Sequence, residues 1–216
     1  MGRPAAIFDL DGTLLARTSA ERLFVTAALR GGQLQLGRAA LGIVLASADR
    51  LRGQRRSLAE SKAYLRGAAC APLETLGVDC VHTAVRPRLR PSLRAALEAH
   101  RSRGDAIVLL TGTLDFLGTE VARMLGVEFA ITARLERRDQ RFTGRVLPPH
   151  PHGEGKVEAL RALAAAAGLD LAASHAYANR GSDALHLACV GTAHAVAPDR
   201  SLRRLARARG WEVSED

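Results

Sequence analysis

Lysine is almost missing from this chain. The 216 residues include 31 lysines and arginines, yet only Lys62 and Lys156 are lysines, and the formal net charge is +9. A basic balance invites a polyphosphate or anionic-membrane partner, because cationic side chains release counterions on binding. The arginines are scattered through alanine-rich helical stretches, however, which marks a compositional bias and not a gathered footprint. Aromatic residues make up 4% of the chain, too few for the base-stacking platforms that single-strand binders use. Nucleic acid is therefore not the expected partner. Cysteine is also scarce: Cys70, Cys80 and Cys189 are odd in number and lack Cys-x-x-Cys spacing, which argues against a disulfide framework or a zinc site and for a reducing cytoplasm. Long apolar runs are absent as well. The most apolar stretch, at 39–48, is half the roughly 20 residues that a spanning helix needs, so it is expected as a buried or partner-facing helix. Acidic residues follow the start of the chain too soon for a signal peptide. Asparagine occurs once, as Asn179.

What is present is an alternation. Short apolar runs at 5–9, 106–111, 127–132, 174–178 and 193–197 predict buried strands. Helical patterns fall between and after them at 92–103, 115–125, 155–168, 183–190 and 201–209. This order predicts an α/β fold, a Rossmann-like, doubly wound and mostly parallel sheet with helices on both faces. From about residue 17 to 87 no strand is convincing, and apolar residues at helical spacing predict an all-helical insert after the first strand. Later, "ITARLE" and "RFTGRVL" alternate apolar and polar on either side of "RRDQ", which predicts a hairpin. In such sheets ligands bind beyond the carboxyl ends of the strands, so chemistry is sought there.

After the first strand stand Asp9 and Asp11, two carboxylates two positions apart, with Gly12 permitting a sharp turn. Such a pair can hold a hard cation through oxygen, and one member can attack phosphorus. Thr111-Gly112-Thr113 follows the run at 106–111 and offers a hydroxyl and backbone N–H groups to phosphate oxygens. Lys156 opens a helix and supplies a compact charge in a chain that otherwise uses arginine. His150 and His152 in "HPHG" could bind a transition metal, but no further ligands cluster near them, so a solvent loop is expected. His175, His186 and His194 are expected to be packed or surface residues, and Cys189 to lie in the core.

"FDLDGTL" matches the Asp-x-Asp-x-Thr motif of the haloacid dehalogenase superfamily, which the chain resembles over nearly its whole length. The resemblance implies that Asp9 is a nucleophile forming an aspartyl-phosphate and that Asp11 is the general acid and base. It implies phosphate binding by Thr111, Gly112 and Lys156, and a Mg²⁺ site formed by Asp9, Asp11, Asn179 and Asp183. The helical insert is similar to the small cap of the phosphoserine phosphatase-like branch (subfamily IB). That similarity divides the chain into a core of residues 1–16 and 88–216 and a cap of residues 17–87. The implied activity is a Mg²⁺-dependent phosphomonoesterase acting on a small organic phosphate.

Two departures matter. Asn179 stands where the superfamily has a metal-ligand aspartate, and Arg180 adds positive charge beside it, so weaker metal binding is expected. The alternative is a catalytically impaired relative that binds a phosphorylated ligand or a protein partner. Nine positions after Asp9, where phosphoserine phosphatases have an acid for the substrate amine, stands Thr18, with Glu21 as the nearest acid, so an amino-acid phosphate is not supported.

Overall fold

A computed structural model describes residues 2–34 and 62–215, and the apolar segment at 39–48 lies outside them. In chain order the strands are β1 (Ala5–Phe8), β2 (Ala106–Leu114), β3 (Phe129–Ala133), β4 (Leu135–Arg138), β5 (Arg141–Val146), β6 (His175–Ala178), β7 (Thr192–Val196) and β8 (Glu212–Ser214). The described helices are α1 (Ala20–Arg30), α2 (Cys70–Cys80), α3 (Pro91–Ser102), α4 (Asp115–Leu125), α5 (Glu154–Ala167), α6 (Ala184–Leu187) and α7 (Arg200–Arg209). None of them is long and apolar enough to cross a membrane.

Six strands form one parallel sheet in the order β3-β2-β1-β6-β7-β8. The predicted doubly wound α/β core is therefore the observed one. β1 is central because all four of its side chains are buried. Ile7 belongs to the apolar cluster of Val108, Leu110 and Leu160, and Phe8 to a separate one that includes Leu97, Leu109 and Phe24, its ring stacked on Tyr177 with centroids 4.6 Å apart. Fully burying side chains of this size contributes roughly 1.5–3 kcal/mol each, which a solvent-facing edge would forgo. The chain winds one way from β1 through β2 to β3 and the other way from β6 through β7 to β8. The gap between the ends of β1 and β6 is thus the switch point, where a crevice opens.

Between β1 and β2 the described residues form helices, as predicted. α1 begins at Ser19, whose Oγ accepts the Arg22 N–H at 3.1 Å, and buries Ala20, Phe24 and Ala28 at four-residue spacing. Phe24 meets Phe116 of α4 edge to face, with ring centroids 5.1 Å apart. The hairpin is tied to this helical region too. The Gly67 N–H donates to Phe142 O at 2.8 Å, Phe142 N–H to Ala68 O at 3.0 Å, and Cys70 N–H to Gln140 O at 2.9 Å.

Several boundaries differ from the sequence prediction. The hairpin exists, but its turn is Asp139-Gln140 alone, with φ of 49° and 58°, a mirror-image turn that matches strand twist. Arg137 and Arg138 belong to β4, and Ile131 and Thr132 to β3. β2 runs on through Thr111-Gly112-Thr113 to Leu114, with a register shift against β3 after Leu110. β8 had no apolar pattern to reveal it, since its three residues lie exposed at the sheet edge. The helix expected over 183–190 is a single 3₁₀ turn followed by the four residues of α6. Cys189 falls beyond α6 and is half-buried, its thiol donating to Leu185 O at 3.2 Å, so it is not core.

Candidate active site

The Asp9 N–H still donates to Tyr177 O of β6 at 3.0 Å, so the sheet delivers the Asp9 carboxylate to the switch point. Beyond it the chain coils tightly: Gly12 N–H donates to Leu15 O at 2.8 Å and Leu15 N–H to Leu10 O at 2.8 Å. Gly12 adopts φ of +87°, and a Cβ there would collide with Asn179 Nδ2. Glycine is needed for both reasons.

Lys156, at the start of α5, reaches back across the crevice. Its Nζ donates to Asp9 Oδ1 at 2.7 Å and to Asp183 Oδ1 at 2.8 Å, and all three side chains are buried. Burial alone would lower the lysine pKa, but the fields of Asp9 and Asp183 outweigh it and raise the pKa above the ordinary value. Asp9 Oδ2 accepts from Thr13 Oγ1 at 2.8 Å, and that hydroxyl lies 3.5 Å from Asn179 Oδ1. Asp9, Lys156, Asp183 and Asn179 therefore form one connected group.

Asp11 stands apart from it. Its Oδ1 accepts the Ala20 N–H at 2.8 Å and its Oδ2 the Thr113 hydroxyl at 2.7 Å. Burial pushes its pKa up to about 6, against the lowering effect of these hydrogen bonds. It can thus hold or release a proton near neutrality, as an acid–base catalyst requires. Thr111 is buried and its Oγ1 accepts the Thr113 N–H at 3.1 Å, whereas Gly112 is exposed on the outside of the shifted strand. A local irregularity of this kind re-aims side chains at a site.

The donors suit a hard cation. Asp9 Oδ2 and Asn179 Oδ1 are oxygens close to the same Thr13 hydroxyl. Among the described residues no three His, Cys, Asp or Glu side chains form a ready-made metal cage. Mg²⁺ does not need one, since it commonly takes one or two carboxylates and completes its shell with water and substrate oxygens.

Three residues take places that the sequence does not assign them. Thr113, read as part of a phosphate-binding turn, holds Asp11. Arg90 is buried and donates from Nε to Thr13 O at 2.9 Å and from Nη2 to Gly12 O at 3.4 Å, which clamps the coil after Asp9. In an arginine-rich sequence nothing distinguishes it from its neighbours. His186 is fully buried, 3.8 Å from Asp183, and neither ring nitrogen has a hydrogen-bond partner among the described residues.

Burial, with Lys156 nearby, pushes the His186 pKa down from 6.5 to about 3. The folded state therefore keeps the ring neutral while the unfolded state takes up a proton below pH 6.5. The stability held above that pH is lost as pH falls, by about 4 kcal/mol on reaching pH 3. His186→Leu loses no hydrogen bond, so we expect it to be neutral or mildly stabilising at pH 7. At pH 4 it should be about 3 kcal/mol more stable than the natural protein. Urea unfolding at the two pH values measures this, and an unchanged pH slope would refute it.

Residues 6–187 match the family described as haloacid dehalogenase-like hydrolase. Over 222 residues the chain is 34% identical to the phosphoserine phosphatase SerB1 of Mycobacterium tuberculosis (strain ATCC 25618 / H37Rv), covering 98% of this chain and 70% of that one. Among solved structures, a protein with unknown function from Bordetella pertussis Tohama I superposes with a TM-score of 0.80 at 29% identity, covering 99% of this chain and 98% of the other. A phosphoserine phosphatase in apo form superposes with a TM-score of 0.68 at 17% identity, covering 99% and 94%, a likeness of fold.

Proposed function

We propose, on the premise that this chain belongs to the haloacid dehalogenase-like hydrolase family and is a phosphatase, that it hydrolyses a small organic phosphomonoester with Mg²⁺ through an aspartyl-phosphate on Asp9. The observation that carries this is the bridge of Lys156 to Asp9 and Asp183, with Asp11 held separately by Thr113. An anchored, charged carboxylate and a second one that titrates near pH 6 supply the two roles the reaction needs.

In the first step an Asp9 oxygen forms a bond to phosphorus as the bond to the leaving oxygen breaks. Asp11, entering protonated, gives that oxygen its proton. In the second step Asp11 takes a proton from water, whose oxygen attacks phosphorus. The Asp9–phosphorus bond breaks, inorganic phosphate leaves, and Asp11 is protonated again. Thr111, Gly112 and Lys156 hold the phosphoryl oxygens, and Lys156 offsets the charge that gathers on them. Asp9 and Asn179 would hold the Mg²⁺, with Asp11 and Asp183 beside them. The ion supplies the positive charge that lets a phosphate dianion approach a carboxylate-rich crevice. The described part of residues 17–87 acts as a cap to this core.

Asn179 favours a second reading, a weakened or non-catalytic site, because it removes one formal charge from the metal ligands. An aspartate is nearly isosteric and fits over Gly12 as asparagine does. Asn179→Asp is therefore expected to lower the Mg²⁺ needed for half-maximal phosphate release by about tenfold or more and to raise turnover. The check is a Mg²⁺ titration of aryl phosphate hydrolysis in both proteins. No change would show that Asn179 is not a metal ligand, and Mg²⁺-independent ligand binding without turnover would favour the non-catalytic reading.

A further inference from the structure

Next to the catalytic group, and touching it at Gly12 and Asn179, lies a cleft of about 500 Å³ lined by Arg17, Arg22, Arg90 and Arg180. It runs from the end of β6 to the start of α1, where Thr18 and Ser19 add two hydroxyls. Among the described residues its one acidic lining residue, Glu215, is taken up by Arg203, which binds both carboxylate oxygens. Arg90 is committed to the carbonyls of Thr13 and Gly12. Arg17, Arg22 and Arg180 are exposed, and among the described residues no side chain or carbonyl pairs with their guanidinium groups.

Converging cations with no counter-charge repel one another until an anion joins them. Guanidinium groups are matched in shape to carboxylate and phosphate, which they grip through paired N–H donors. Glu21, the acid nearest Thr18 in sequence, is already engaged and is not free to receive an ammonium group. Its oxygens are taken by Lys62 Nζ at 2.6 Å and Tyr64 OH at 2.7 Å. The volume suits a small molecule, and among the described residues no aromatic side chain lines the cleft to stack a base.

We propose that this cleft is a second anion subsite, which holds a carboxylate or phosphate carried by the leaving group. The substrate is then a phosphomonoester with a further anionic group, and not a zwitterion. This deepens the phosphatase reading and rests on it for the word substrate, while anion binding by the cleft can be tested without turnover.

The test is calorimetric titration of the natural protein with alkanediyl bisphosphonates of three to six carbons and with the matching alkyl monophosphonates, none of which can be hydrolysed. At least one bisphosphonate is expected to bind ten or more times tighter than its monophosphonate. That advantage should fall below threefold in an Arg22→Gln/Arg180→Gln double variant, whose fold is verified by thermal unfolding. Equal affinities across the series, or an advantage that survives in the double variant, would overturn the subsite. Phosphonoalkanoates of the same lengths distinguish carboxylate from phosphate as the preferred anion. Phosphate release from the corresponding bisphosphate esters is followed separately. Its absence with Mg²⁺ would count against the phosphatase reading and leave the binding result to judge the cleft.

Discussion

Asp9→Asn is expected to cut phosphate release at least about a thousandfold, to the background of the assay, because an amide has no anionic oxygen to form the bond to phosphorus. The fold should survive. Asparagine has nearly the same volume, its oxygen can still accept from Lys156 or Thr13, and Lys156 keeps Asp183 as a counter-ion. The measurement is phosphate release with Mg²⁺ from an aryl phosphate, alongside thermal unfolding. A folded variant that keeps more than a tenth of natural activity would remove Asp9 as the nucleophile. A protein that loses activity only by unfolding would say nothing of chemistry, which is why both readouts are required.

Lys156→Met should damage both stability and activity. It leaves the carboxylates of Asp9 and Asp183, both about 95% buried, without the cation that faces them. Breaking a buried ion pair from one side costs about 3–5 kcal/mol, which in a domain of this size lowers the melting temperature by about 10 °C. The sign with pH follows from the raised lysine pKa. Its stabilisation is complete below the ordinary lysine value of 10.5 and is lost as pH climbs above it. In the variant the deficit should shrink on acidification, because the two stranded carboxylates can then take up protons. Guanidinium unfolding of both proteins at pH 7 and pH 5 tests this, and a variant within 1 kcal/mol of natural stability at pH 7, roughly the worth of an exposed pair, would show the bridge to be a surface-like contact.

Much of this was legible beforehand because it rests on short, local signals. β1 could be read from four apolar residues ending in an acid, and the sheet's central strands from similar runs. Asp9 is legible as an acid at a strand end and Lys156 as a lysine at a helix start, Asp183 follows only from the family resemblance, and the fold brings those three together. What stayed hidden was contact across long sequence separations. Thr113 holding Asp11 and Arg90 clamping Gly12 and Thr13 join residues some 77 to 102 positions apart, and no local pattern points to either contact. β8 was hidden for the opposite reason, since an exposed edge strand has no buried face to write an alternation into its sequence. Glu21 is the acid nearest Thr18 in the sequence, but only the folded chain reveals that Lys62 and Tyr64 already bond to it.

The burial of both lysines has a practical side. Lys62 and Lys156 are the only lysines in the chain, and each is about 96–97% shielded and bonded to a carboxylate. The folded protein therefore offers amine-directed reagents no accessible lysine, and attachment of a dye or cross-linker at either position becomes a reporter of local opening around the first turn of α1 or the catalytic crevice.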